Sequence, residues 1–137
     1  MPAGYSKRSL VEKLGIKPQS RVAIVHAPKD YDRTLGPLPD GVKGLSRPGA
    51  DMDFIHSFFT DAKTLDHEFA LLKKAIKQNG VVWISWPKKA AKMETDITED
   101  VVRSIGLRHG LVDIKVCAVD ETWSGLKLMI RRELRNG

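Results

Sequence analysis

The feature that most constrains the fold is an apolar run at residues 80–87, which reads GVVWISWP. Glycine opens the run, proline closes it, and β-branched and aromatic residues fill it, which is typical of a β-strand. Apolar residues occupy both alternating sets of positions, so both faces of the strand need cover. Strands of this kind belong to parallel sheets packed between helices. The run therefore predicts a central strand of an α/β sheet.

The rest of the chain alternates between strand and helix patterns and ends in two strands joined by a turn too short for a crossover. The predicted fold class is α/β: a Rossmann-like three-layer sandwich with a mostly parallel sheet and a C-terminal antiparallel hairpin. This order of elements resembles the class I methyltransferase fold with its first half abbreviated. The other strand patterns lie at residues 21–26, 42–45, 53–59, 111–119 and 126–131.

The first third of the chain contains one short helix and a long breaker-rich segment. Ser9 and Glu12 form a capping box for the helix, and Gly15 ends it. Residues 27–41 are rich in proline, glycine and aspartate, which predicts a loop.

Two longer helices follow, with limits set by capping and breaker residues. The first should stop at Asn79-Gly80, and the second should begin at a capping box of Asp96 and Glu99 and end at Gly106. The stripe that predicts the first of these helices is Leu65, Phe69, Leu72 and Ile76.

The strand pattern at residues 111–119 alternates regularly and predicts one apolar and one wetter face. The residues assigned to the apolar face are Val112, Ile114, Val116 and Ala118.

Length and composition indicate a single domain. The chain has 137 residues, so we assign residues 9–132 to one α/β domain, residues 1–8 to a flexible basic leader and residues 133–137 to a tail. No apolar run approaches the ~20 residues that span a bilayer, and the leader lacks the apolar region of a signal peptide. Cys117 is the only cysteine, which excludes an internal disulfide and favours a cytoplasmic location. The net charge of +6 is spread along the chain, as expected of a solvated surface, so specific nucleic-acid binding is not expected.

Cofactor-binding Rossmann-like proteins need a glycine-rich turn after the first strand, because glycine lets the backbone approach the ligand. Here that turn is residues 26–30, and the next glycine is Gly36. An acidic residue for ribose hydroxyls is also missing after the second strand, where residues 45–47 read LSR. We therefore predict no cofactor, neither S-adenosylmethionine (SAM) nor NAD.

Metal and nucleophile patterns are equally weak. The four histidines fall in four different elements and form no zinc-binding spacing. Ser85 and Ser124 lack the context of a nucleophile elbow. We predict no metal site and no catalytic residue.

The most informative candidate site lies where the strands end. Ligands of open α/β sheets bind at the carboxyl ends of the strands. The loop after residue 86 and the hairpin turn at residues 120–124 should meet at that edge, with lysines to hold an anion and an indole as an apolar wall. The predicted ligand-binding residues are Trp86, Lys88, Lys89, Asp120, Trp123 and Ser124.

Two motifs resemble a family. Residues 80–83 (GVVW), followed by Pro87-Lys88, and later residues 123–128 (WSGLKL), are similar to a bacterial domain-of-unknown-function family, number 3052. The resemblance covers most of the chain from residue 14 onward. That family has no assigned activity, so the resemblance implies a small α/β protein but no mechanism.

The leading hypothesis is a non-catalytic, cytoplasmic, Rossmann-like protein that binds a small anionic ligand or a protein partner at the carboxyl edge of the sheet. The alternative hypothesis is that the protein is an enzyme, a degenerate methyltransferase-like transferase. A third possibility is weak nucleic-acid binding through the basic edge.

Overall fold

The computed structural model of the protein describes residues 9–135, which contain four α-helices and one six-stranded sheet. The predicted leader and the last two residues of the predicted tail lie outside this range. The helices are α1 (Leu10–Leu14), α2 (Tyr31–Leu35), α3 (Ala62–Ala75) and α4 (Glu99–Arg108). The strands are β1 (Val22–Val25), β2 (Gly44–Leu45), β3 (Met52–Phe58), β4 (Ile76–Pro87), β5 (Leu111–Ala118) and β6 (Trp123–Ile130).

The strand order is β2-β1-β3-β4-β6-β5. The first four strands run parallel to one another, and β6 is antiparallel to both of its neighbours. The predicted fold class is therefore confirmed, including the C-terminal hairpin. Among residues 9–135, no helix is long and apolar enough to cross a membrane.

The sheet separates two apolar cores, as a three-layer sandwich requires. One core joins the sheet to α3 and α4, and the other joins it to α1 and α2. β4 supplies both, since Ile84 faces the α3/α4 side and Trp83 the α1/α2 side, each fully buried. The Trp83 indole N–H donates to the carbonyl of Leu14 (2.9 Å), which fastens the end of α1 to the sheet.

The capping prediction for α1 is confirmed. The Ser9 hydroxyl accepts the N–H of Glu12 at 3.2 Å, and Gly15 adopts the left-handed conformation with φ of 83°. The loop predicted at residues 27–41 is wrong in part, because it contains α2. Tyr31 and Leu35 lie one helical turn apart and are both buried, so burial of this pair stabilises a short helix despite the breakers around it.

The predicted helix stop at Asn79-Gly80 is wrong, because α3 ends earlier and β4 begins at Ile76. Met52 of β3 pairs with Ile76 whereas Phe54 pairs with Val81, so the residues between them bulge out of β4. A Cβ at Gly80 would lie 2.9 Å from the Met52 carbonyl oxygen. Glycine is needed there for close approach of two strands.

The limits predicted for the next helix are also corrected. Thr98 caps α4 by accepting the N–H of Val101, while the Asp96 carboxylate accepts the N–H of Ala62 (2.8 Å) at the start of α3. Gly106 lies inside α4, where a Cβ would overlap the buried side chain of Leu128. This glycine allows the helix to approach the sheet.

The regular alternation predicted for β5 is broken by a β-bulge. Asp113 pairs with Leu128 and Lys115 with Lys127, so Ile114 has no opposite residue and the side chains beyond it change faces. The predicted buried face is wrong, because Ile114 and Val116 are each about half exposed (48% and 49%). β5 is an edge strand, where a bulge interrupts pairing with foreign strands.

Candidate functional site

The end of β4 and the β5–β6 turn meet at the carboxyl edge of the sheet. Trp86 pairs with Ser124 and Pro87 with Trp123. The backbone N–H of Lys88 then donates to the carbonyl of Thr122 at 2.8 Å, which extends the pairing by one more bond. This junction fixes the loop that carries the two predicted lysines.

A cleft of about 540 Å³ opens beside this junction, between the loop after β4 and the start of α4. Four of the six predicted site residues line it: Trp86, Lys88, Lys89 and Ser124. The other lining residues are Pro87, Met93, Thr95, Ile97, Thr98 and Glu99.

Asp120 and Trp123 do not line this cleft. Trp123 is one residue along β6 from Ser124, so its side chain lies on the opposite face, where it packs edge-on against Phe58 at 5.2 Å. One Asp120 carboxylate oxygen accepts the N–H groups of Thr122 and Trp123, both at 2.8 Å, and so shapes the turn. The structure thus places four predicted residues together and two elsewhere, and ligand binding stays a prediction.

The charges around the cleft leave its lysines available. Lys88 is half-buried and Lys89 exposed, and neither makes an ion pair with a residue in the described range. Among the described lining residues Glu99 is the one carboxylate, and it is paired with Arg103. Hydrogen bonds that Arg103 donates to the carboxylates of Glu99 and Asp113 raise the pKa of Arg103, which keeps that compensating charge in place.

The described lining residues combine hydrogen-bond donors with an aromatic wall. Lysine ammonium groups and the Ser124 hydroxyl are donors for an anion, and the indole of Trp86 is a flat apolar wall. Among the described residues that line the cleft, none is a histidine or a cysteine.

A second location that matters for this fold is the crevice between β1 and β3, where the strand order reverses. The turn after β1 has His26 in the left-handed conformation, with φ of 58°. Its ring packs edge-on against Phe59 (5.4 Å), and its Nε2 lies 3.0 Å from a carboxylate oxygen of Glu68 on α3. The His26 side chain is about half exposed in this turn (51%).

Beside that crevice, a cavity of about 550 Å³ lies between β1, α2 and β2. The part of its lining that the structure describes is mostly apolar and contains one carboxylate, that of Asp32. The lining residues are Ile24, Ala27, Asp32, Leu35, Gly36, Leu38, Gly44, Leu45 and Ser46.

A buried polar triad is the feature that the sequence did not reveal. The Tyr31 hydroxyl lies 2.7 Å from His56 Nδ1, and His56 Nε2 lies 2.7 Å from the Ser85 hydroxyl. Burial lowers the pKa of His56 to about 3, so the imidazole is neutral at physiological pH. Burial also raises the pKa of the Tyr31 hydroxyl. Although the serine–histidine pair resembles a nucleophile and its base, His56 and Ser85 have no exposed surface for a substrate to reach.

No described group of three or more histidine, cysteine or acidic residues is arranged to hold a metal ion. His109 instead pairs with Asp66, linking α4 to α3 at 2.9 Å. Its ring also stacks on Phe69, so its contacts explain a packing role.

No family model and no curated protein matches the sequence. Solved structures do match the fold. A SAM dependent methyltransferase from Aquifex aeolicus is 18% identical with a TM-score of 0.58, and the alignment covers 89% of this chain and 88% of that one. The DhpI-SAH complex is 10% identical with a TM-score of 0.63, covering 90% and 83%. Magnesium protoporphyrin IX methyltransferase (ChlM) from Synechocystis PCC 6803 with bound SAH is 9% identical with a TM-score of 0.60, covering 88% and 78%.

These similarities define the class of fold: the chain has the Rossmann-like fold of SAM-dependent methyltransferases. At such identities they show the fold alone. At the crevice of this chain, His26 packs on Phe59, and residues 45–47 after β2 read LSR, without a carboxylate.

Proposed function

We propose that this protein is a non-catalytic, cytoplasmic, Rossmann-like protein that binds a small anionic ligand in the cleft beside Trp86. The observation that carries the proposal is the pair Lys88 and Lys89, which line a cleft at the carboxyl edge without an ion-pair partner in the described range. Charge-assisted hydrogen bonds from two ammonium groups are the usual means of holding phosphate or carboxylate.

The surroundings support an anion of small size. The cleft volume of about 540 Å³ falls in the usual range of small-molecule sites. Ser124 adds a hydroxyl donor opposite Trp86, and Glu99 is already paired with Arg103, so it does not compete for the lysines. An aromatic wall with convergent polar groups is typical of ligand pockets.

The test is the double variant Lys88→Ala/Lys89→Ala, with inorganic phosphate, citrate and ATP as probes in thermal-shift and calorimetric titrations. At least one probe should raise the melting temperature of the wild type, and the double variant should lose about tenfold or more in affinity, about 1.4 kcal/mol. Each substitution should change stability by less than ~0.5 kcal/mol, as expected at surface positions.

The matched control is Lys43→Ala/Lys74→Ala, which removes the same charge from two exposed positions away from the cleft. Equal losses in both double variants would mean that net charge, not the cleft, attracts the anion. No response of the wild type to any of the three probes would contradict the proposal.

The second candidate is a degenerate methyltransferase-like transferase. The fold supports it, and the mostly apolar cavity beside Asp32 is a place where a nucleoside-sized ligand fits. Calorimetry with SAM decides between the two: we expect no binding tighter than ~1 mM, a free energy near −4 kcal/mol. A micromolar dissociation constant would favour the transferase.

We also propose that the chain belongs to the domain-of-unknown-function family 3052. Support comes from contact between the two motifs, because Trp83 of the first pairs with Lys127 of the second, and Pro87 pairs with Trp123. A Cβ at Gly125 would lie 3.2 Å from Trp83 Cε3, so a small residue at one position goes with an indole at the other. Membership predicts that aligned family sequences enlarge position 125 only where position 83 is smaller than tryptophan.

A further inference from the structure

The hairpin carries a group of lysines that the proposed function does not use. Lys115 of β5 lies directly opposite Lys127 of β6, and both side chains lie on the face that also carries Trp83. Like charges at opposite positions of an antiparallel pair destabilise a sheet. Lys17, which follows α1, is close enough to act on the charge of Lys127.

Among the described residues, no acidic side chain compensates the charges of these lysines. Within residues 9–135, none of the three makes an ion pair. Burial, followed by the charges of Lys115 and Lys17, lowers the pKa of Lys127, because partial desolvation and like charges both disfavour its ammonium form. Retention of an arrangement that costs stability is common where a surface serves a function.

The same face has an apolar flank next to the lysines. Val112 of β5 pairs with Met129 of β6, and both side chains are half-buried but belong to neither of the two cores. The core on this side of the sheet is built by α1 and α2, and the hairpin contributes to it mainly through Val119 and Trp123. Within residues 9–135, neither core extends over the outer part of the hairpin face.

We propose that this face, defined as Lys17, Lys115, Lys127, Val112 and Met129, docks an acidic segment of a partner protein that also carries apolar side chains. Carboxylates of the segment pair with the three lysines, and its apolar side chains cover Val112 and Met129. Charge complementarity of this kind sets partner choice and association rate.

The chemistry of the face disfavours two other occupants. A single strand of nucleic acid needs aromatic side chains on which bases stack, and the five residues of the face include none. A second copy of this chain brings a net charge of +6 and the same lysines, so a symmetric contact would place like charges together.

Fluorescence anisotropy at about 50 mM salt tests the docking face, with a labelled peptide of about 12 residues built from Glu-Glu-Leu repeats. The peptide should bind the wild type, and Lys115→Gln/Lys127→Gln should weaken binding by at least about tenfold. The control Lys43→Gln/Lys74→Gln removes equal charge elsewhere and should change affinity by less than about twofold. Lys88→Ala/Lys89→Ala should also bind the peptide normally, so this result and the anion test can fail independently.

Three outcomes overturn the inference: no peptide binding by the wild type, equal losses in both glutamine variants, or tighter binding of single-stranded DNA of equal charge at the same lysines. A second measurement is the melting temperature of Lys127→Gln, which should rise by about 2–4 °C at low salt because a repelled, partly buried charge is removed. A fall in melting temperature together with unchanged peptide affinity would assign Lys127 a structural role and also overturn the inference.

Discussion

Acidification should destabilise the protein, and a defined share of the effect should come from His56. Its imidazole has no exposed surface and is held between the Tyr31 and Ser85 hydroxyls, each at 2.7 Å. Burial lowers its pKa from the ordinary value of 6.5 to about 3 in the folded protein. As the pH falls below 6.5, the imidazole of His56 therefore becomes protonated in the unfolded chain but stays neutral in the folded protein.

The sign and size of the effect follow from this difference. Stability contributed by neutral His56 is fully present above pH 6.5 and is lost as the pH falls towards 3. Well below 6.5 the loss approaches ~1.4 kcal/mol per pH unit, so acidification from pH 7 to pH 4.5 costs about 2–3 kcal/mol. That is a large part of the ~5–15 kcal/mol that stabilises an ordinary domain.

The measurement is the free energy of unfolding in urea at pH 7.0 and pH 4.5, for the wild type and His56→Gln. The variant is less stable at both values, but its loss on acidification should be smaller than that of the wild type by about 2 kcal/mol. His67→Gln makes the same exchange at an exposed position of α3 and serves as the control. If the free energies of unfolding of the wild type and His56→Gln fall equally between pH 7.0 and pH 4.5, the reasoning is refuted. An imidazolium signal for His56 at pH 5 in the nitrogen NMR spectrum of the wild type would refute it as well.

Three further substitutions test the packing. Ile84→Ala should cost ~2–5 kcal/mol because the side chain is fully buried in the central strand, and a cost under ~1 kcal/mol in urea unfolding would mean that β4 tolerates a cavity there. Gly106→Ala gains about 1 kcal/mol of helix propensity but must displace buried Leu128 at a cost of ~1–3 kcal/mol, so net destabilisation is expected. The control is Ser104→Ala on the exposed side of α4. A Gly106 variant that is more stable than the wild type would show that Leu128 moves freely. Trp123→Ala should lower the free energy of unfolding by ~3–5 kcal/mol, since the indole is buried and packs against Phe58. The folded variant should keep its anion affinity. A loss of anion affinity at the cleft would contradict the assignment of Trp123 to the opposite face.

The sequence predicted those features that local patterns determine. Residues 80–87 identified the central strand because their composition is that of a strand buried on both faces. Ser9 and Glu12 marked the start of α1 because a capping box needs only neighbours in the chain. The short turn before β6 required an antiparallel hairpin for the same local reason.

Glycine shows where sequence patterns are insufficient. Gly80 and Gly106 were both taken as helix stops, but each permits close approach to a residue distant in sequence, Met52 or Leu128. The two uses of glycine look the same in a sequence. Only the packing of strands and helices distinguishes them.

The candidate site was predicted in part for a similar reason. Topology alone brought the loop after β4 and the hairpin turn to one edge, but it did not set which face each side chain occupies. Because strand side chains alternate, Ser124 joins Trp86 in the cleft whereas Trp123 lies on the other side. The triad around His56 was missed because the register between β3 and β4 is what places His56 beside Ser85.

At the carboxyl edge of this sheet, the position where the fold predicts a ligand differs from the position that the side chains favour. In the fold of SAM-dependent methyltransferases, the crevice between β1 and β3 is where a ligand is expected. In this chain His26, whose backbone is in the left-handed conformation, packs on Phe59 and lies 3.0 Å from Glu68. Further along the same edge, Lys88 and Lys89 line a cleft without ion-pair partners in the described range. Because binding needs space and uncompensated charge together, the proposed ligand site belongs at the β4 end of the edge.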